Sequence, residues 1–382
     1  MGIIKKFSNV GISDIEKVSS VSSIAKIDDV SLGTPTILRL EIANDGDEWD
    51  PTFSMAISGT GVVDWGDGSP TETANPVLSP HTYATAGTYD ATLTPTNGLK
   101  TRLNGVLGAT TADTQVTEVI AFGDCGTVQF KDWQSLVTIP LDGYLDLTGV
   151  EVFNAFAFEN CGSFVGPTSM SGYALLTAPS SLLVCFNDNV LFNRPGLNDL
   201  DVSSVVTMNA AFSGAQIFNQ PLDSWNVSSV TDMRDMFNIA FAFNQDISGW
   251  NVGSVTNMSG MFAGAFAFNQ PLNGWNVSGV TDMSRMFRFA IAFNQNLGAW
   301  TFKNNVILNE IFSSSGMSDA NVALCLEGWD SVGQGTSVDA TDMFGSTART
   351  MSESTYPNAK TAYDNLISTY SWDFTSSFNW VA

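Results

Sequence analysis

FNQPLDSWNVSSVTDMRDMFNIAFA, residues 218–242, runs without a gap into FNQDISGWNVGSVTNMSGMFAGAFA, residues 243–267, and then FNQPLNGWNVSGVTDMSRMFRFAIA, residues 268–292. A fourth copy opens at Phe293 as FNQNLGAW, so Trp225, Trp250, Trp275 and Trp300 keep a 25-residue spacing. Self-similarity at a fixed period of about 20–50 residues is the mark of a repeat architecture. One unit cannot bury its apolar edge alone. Stacked units can, each large side chain lying on its equivalent in the next.

Within a unit, Leu222, Trp225, Val227 and Val230 recur as Ile247, Trp250, Val252 and Val255, and as Leu272, Trp275, Val277 and Val280. An earlier copy reads Leu197, Leu200, Val202 and Val205. This is the L-x-x-L-x-L frame of a leucine-rich repeat, which predicts a short strand around the middle apolar pair. Met233, Met236, Phe237 and Ala240 follow at i, i+3, i+4 and i+7, the spacing of one helical face. Thr231 and Asp232 stand where a helix N-cap is expected. The expectation is an α/β repeat solenoid, leucine-rich-repeat-like, with coils of strand, helix and turn. With strands ~4.8 Å apart, eight or so coils give a rod or arc roughly 40 Å long.

The array decays at both ends. FNDNVLFNRP from Phe186 and FNAFAFENCG from Phe153 keep the distance from Phe to turn Asn, and VTEVIAFGDCGTVQF from Val116 reads as a first, degenerate coil. Downstream, Phe302 and Asn305 continue the frame once more, and AKTAYDNLISTYSWDF reads as a closing helix and edge strand. The expected division is an extended arm over 1–35, a β-rich domain over 36–110, the solenoid over 111–330 and a C-terminal cap over 331–382.

The front of the chain has two features of its own. VDWGDGSPTETANPVLSPHTYATAGTYDATLTP places Asp64, Trp65, Gly66, Asp67 and Gly68 in a tight polar turn after an apolar strand. The segment resembles the WGDGS…H-x-Y…AGTY…LT motif of PKD domains, and the resemblance implies a small β-sandwich. Asp64 and Asp67 are the candidate Ca²⁺ ligands, although a turn-forming role suits them better. Ahead of this, Ile12, Ile15, Val18, Val21, Ile24, Ile27 and Val30 recur every third residue. That period suits a three-sided coil or three chains wound together, hence an expected homotrimer stem, with a loose β-arm as the alternative.

Composition removes several function classes. The net charge is −23, with 38 acidic against 15 basic side chains. Such a surface repels phosphate backbones and anionic membranes, so no nucleic-acid partner and no membrane insertion are expected. Cys125, Cys161, Cys185 and Cys325 lack metal-ligand spacing and read as small buried hydrophobes. With His81 the one histidine, a His-based zinc site or catalytic triad is not expected, nor is a cofactor. The N-terminal segment has no apolar core of about 7–15 residues and is not read as a secretory signal. No apolar run is long enough to span a bilayer.

Two ladders stand out at the coil period. Asn219, Asn244, Asn269 and Asn294 invite a glycan-binding reading, but a turn Asn satisfying backbone groups of the next coil explains them better. The tryptophans occupy inward positions and read as core. The candidate binding residues are instead the outward positions of the expected strand: Ser224, Asn226, Ser228, Asn251, Asn276 and Ser278, accompanied by Gly249, Gly253 and Gly274. Asp199, Asp201 and Asp223 share that face as solvated carboxylates.

With these residues in view, the chain resembles the BspA-like leucine-rich-repeat surface proteins, whose units carry F-N-Q-x-[IL]-x-x-W-[ND]-V-S-x-V-T-x-M-x-x-M-F. The resemblance covers about residues 116–330 and is most specific from Phe192 to Trp300. It implies adhesion and contact with a host surface, not catalysis. A WGDGS segment ahead of such repeats is also similar to proteins encoded by marine bacteriophages. The expectation is a non-enzymatic protein of the virion surface, a head or tail fibre or a decoration protein. It would bind other virion proteins through residues 1–35 and host polysaccharide or protein through the repeats. A bacterial cell-surface adhesin, a polysaccharide depolymerase and a purely architectural capsid cement are the rivals.

Overall fold

The computed structural model describes residues 36–42, 48–49, 55–74, 81–104, 116–121, 125–129, 181–332 and 334–382. The period-three arm, Phe153 and Cys161 lie outside them.

The front part is a sheet. Its strands are β1 (Thr36–Ile42), β3 (Met55–Asp64), β4 (Glu72–Ala74), β6 (Gly87–Asn104), β7 (Val116–Ala121) and β8 (Cys125–Gln129), ordered β4-β3-β6-β1-β7 with β8 paired to β6. A second, two-stranded sheet joins β2 (Glu48–Trp49) to β5 (His81–Thr82). Leu40, Val63, Trp65, Tyr83, Ala91 and Leu93 are buried here. The placement of β7 and β8 corrects one reading. The segment from Val116 pairs with β1 and β6 and is not a degenerate coil, because its backbone completes a sheet already begun by those strands.

From Ser181 onward the chain winds into stacked coils. Parallel bridges link Ser181 to Thr207, then Asp232, Asn257, Asp282, Ile307, Asp339 and Asp373. Each coil adds a Phe pair in face contact, Phe237 on Phe243 at 3.9 Å and Phe262 on Phe268 at 4.0 Å. These pairs stack on those of the next coil, Phe237 on Phe262 at 5.8 Å. The tryptophans form a parallel column, Trp225 on Trp250 at 6.4 Å and Trp250 on Trp275 at 6.5 Å. Each indole Nε1 also donates backward to a main-chain carbonyl of the preceding coil, Trp250 to Leu222 at 2.9 Å and Trp275 to Ile247 at 3.2 Å.

The coils do not contain the expected strand and helix. The stretch from Met233 to Ala240 is a chain of tight turns, in which amide N–H groups alternate between two kinds of partner. Met236, Asn238 and Ala240 donate three residues back, to Met233, Asp235 and Phe237. Met233, Asp235, Phe237 and Ile239 donate instead to Asn257, Ser259, Met261 and Ala263 of the next coil. Asp235 (φ 53°) and Ile239 (φ 60°) lie in the left-handed region, which no α-helix accommodates. The i, i+3, i+4, i+7 spacing survives because such turns also bring Met233, Met236, Phe237 and Ala240 to one side, where all four are fully buried. Asp232, expected at a helix N-cap, takes the Arg234 amide on its own carboxylate at 3.0 Å.

True helices occur where the repeat ends. α1 (Asp319–Ser331) and α2 (Pro357–Tyr370) are each inserted within one of the last coils, stretching the coil-to-coil separation to 32 and 34 residues. Trp329 on α1 still donates to Leu297 at 3.0 Å, and Trp372 donates to Gly335 at 3.1 Å, so the backward indole bond survives the insertions, although these two rings meet Phe302 edge-on. Strand β9 (Arg349–Ser352) pairs in parallel with β10 (Phe378–Val381) at the end. No helix among the described residues is long and apolar enough to cross a membrane.

Two measurements check this architecture. Far-ultraviolet circular dichroism of residues 181–382 alone is expected to show the weak 222 nm signal of two short helices; a helix in every coil would make it several times stronger. Trp250→Phe removes a buried donor from the Leu222 carbonyl and leaves a partial void, so urea denaturation should record a loss of about 2–4 kcal/mol.

Candidate functional site

The Asn ladder joins coil to coil along one edge. Asn219 Oδ1 accepts the Asn244 amide at 2.9 Å, and Asn244 and Asn269 receive the same bond from Asn269 (3.0 Å) and Asn294 (2.9 Å). Asn193 extends the row upstream by accepting from Asn219. At the other end Asn294 accepts from Ser318, whose hydroxyl in turn caps α1 through the Asn321 amide at 3.3 Å. The ladder thus directs where the first helix begins. Gln220, Gln245, Gln270 and Gln295 complete it: Gln245 Nε2 reaches both Asn219 O at 3.0 Å and Asn219 Oδ1 at 2.9 Å. These glutamines were missed in the sequence reading, although their recurrence in every FNQ was visible. The tryptophan column, Trp225, Trp250, Trp275 and Trp300, is at most 4 % exposed.

The candidate binding residues lie on a common rim but not on a strand. Asn226 Oδ1 accepts from the Ser228 amide at 3.2 Å and its hydroxyl at 2.7 Å; Asn276 receives the same pair from Ser278, and Asn251 accepts from the Gly253 amide at 3.2 Å. Each Asn closes a local turn over an amide that a strand would give to its neighbour, and this is why the expected strand is absent. Ser224 is tied to the previous coil, its amide donating to Asn198 Oδ1 at 2.9 Å while its hydroxyl accepts from Asn198 Nδ2 at 3.0 Å. All but the half-buried Ser228 are exposed. Close by, Asp201 is held below its ordinary range by hydrogen bonds from Ser203, Asp223 accepts from Asn198 Nδ2 at 3.0 Å, and Asp199 is exposed.

A second row was not foreseen. Leu191, Ile217, Phe266 and Ile291 are 40–62 % exposed along one corner, and half-buried Phe241 stacks on Phe266 at 4.6 Å. Its signal was the large apolar residue two places before each later FNQ: Phe241, Phe266 and Ile291. Beside it, Glu310 Oε2 is shared by Arg285 at 2.9 Å and Arg288 at 3.7 Å. Elsewhere on the same flank Asp235 leans over Gly260, and burial pushes its carboxyl above the ordinary range despite the neighbouring arginines.

In the front sheet, Asp64 Oδ1 accepts the Gly66 amide at 2.9 Å and Asp67 Oδ1 the Ser69 amide at 3.0 Å. Asp67 Oδ2 lies 2.8 Å from His81 Nε2, and the imidazole stacks on Trp65 at 4.8 Å. Asp64 therefore closes the turn locally, and Asp67 ties it to β5. Among the described residues no three His, Cys, Asp or Glu side chains gather as a metal site. Burial works to raise the Asp67 carboxyl, but hydrogen bonds from Ser69 and His81 outweigh it and hold it at about 2. Cys325 is buried, accepts the Leu297 amide on Sγ at 3.2 Å, and is pushed up to about 12 by that burial.

The geometry from residue 181 onward defines a stacked-coil repeat protein with rows of like side chains along its flanks. Residues 180–252 and 225–329 match the family model described as "Mycoplasma protein of unknown function, DUF285". That match covers less than half of the chain, and it supports the BspA-like character of the repeats. No curated protein and no solved structure matches the chain.

Two outcomes follow. Asn244→Ala strands the Asn269 amide and leaves Gln270 Nε2 only the Asn244 carbonyl, and thermal denaturation should report a loss of about 1–3 kcal/mol, against well under 1 for the water-exposed Asn251→Ala. The depressed Asp67 carboxyl contributes stability above its ordinary value of 3.8 that disappears as pH falls toward about 2. Protection of the Ser69 amide against exchange, relative to its intrinsic rate at each pH, should therefore fall across that interval, and Asp67→Asn should remove that change in protection.

Proposed function

We propose that the chain is a non-enzymatic protein of a virion surface, a head or tail fibre or a decoration protein, whose coils contact the host envelope or its polysaccharide. The observation that carries this reading is the rim of Ser224, Asn226, Asn251, Asn276 and Ser278, exposed, uncharged and repeated from coil to coil. Carboxamides held in fixed turns present amide donors without ordering cost, which suits the repeated hydroxyls of a glycan chain. Residues 1–35 attach the chain to other virion proteins and bring three copies together. The PKD-like front spaces the repeats from that attachment.

A second reading, a cellular adhesin, is favoured by the family description, which names a cellular organism. A glycan array of bacterial envelope polysaccharides, probed with the full chain and with the Asn226→Ala/Asn251→Ala/Asn276→Ala variant, tests the contact. Binding by the parent, lost in a variant that still unfolds at the parent's temperature, is the expected result, with polysaccharide length unchanged. Shortened polysaccharide, or equal binding by both proteins, would sink the proposal. Labelling with antibody against the chain then separates virions from cell envelopes.

A further inference from the structure

No further inference is drawn: the strongest candidate, the exposed apolar row of Leu191, Ile217, Phe241, Phe266 and Ile291 along one corner of the stacked coils, is an unpartnered apolar face, and nothing in the structure shows what covers it.

Discussion

Everything from residue 181 onward depends on main-chain hydrogen bonds between coils, and those made by the tight turns all run forward, from one coil to the next. In an ordinary parallel ladder each strand both donates to and accepts from the same neighbour. Here Met233, Asp235, Phe237 and Ile239 all donate forward, and Met258, Gly260, Phe262 and Gly264 do so again one coil later. Aligning amides in this way requires two left-handed residues per coil, four positions apart. Asp235 and Ile239 fill those positions in one coil, Gly260 and Gly264 in the next, and Arg285 and Phe289 in the third. A non-glycine residue there costs about 1–2 kcal/mol. At Gly214 and Gly260 the upstream side chain, Asp188 and Asp235, leans into the vacant space, whereas Ile239 stays at ordinary contact distance from Gly264.

Return bonds close the stack on its other sides. Thr256 and Thr281 donate backward from both amide and hydroxyl, to Thr231 and Thr256. The Gln and Trp side chains also donate backward, and each ladder Asn accepts on Oδ1 from the amide of the following coil. Such bonds work only if the equivalent residue stands at the same height in the neighbouring coil, so substitution in one unit is felt in two. That mutual dependence explains why units 218–242, 243–267 and 268–292 are so alike, and why the fully buried positions vary only as conservatively as Leu222, Ile247 and Leu272.

Charge is sparse and peripheral in this arrangement. Phenylalanine and methionine fill the centre, carboxylates such as Asp201 and Asp246 close turns on the rim, and the Arg285–Glu310 pair lies at the surface. An exposed pair of this kind contributes little stability. Cohesion comes from the stacked rings and the satisfied ladders between them. The large negative charge bears on solubility and on which surfaces the protein avoids.

The period, the inward tryptophans and the structural role of the asparagines were legible in the sequence, because a column of identical side chains has to repeat at the length of one coil. The C-terminal helix was legible too, for Ala362 and Leu366 lie four apart and are buried on one face. What could not be read was the conformation between the columns. An i, i+3, i+4, i+7 row is shared by a helix and by successive tight turns, and the choice was made by amides that find carbonyls in another coil. Local spacing also could not show that Val116–Ala121 completes a sheet begun at Thr36. The recurrence of Phe241, Phe266 and Ile291 was in the sequence, but their exposure became visible only in the stack, because it is decided by neighbours distant in sequence.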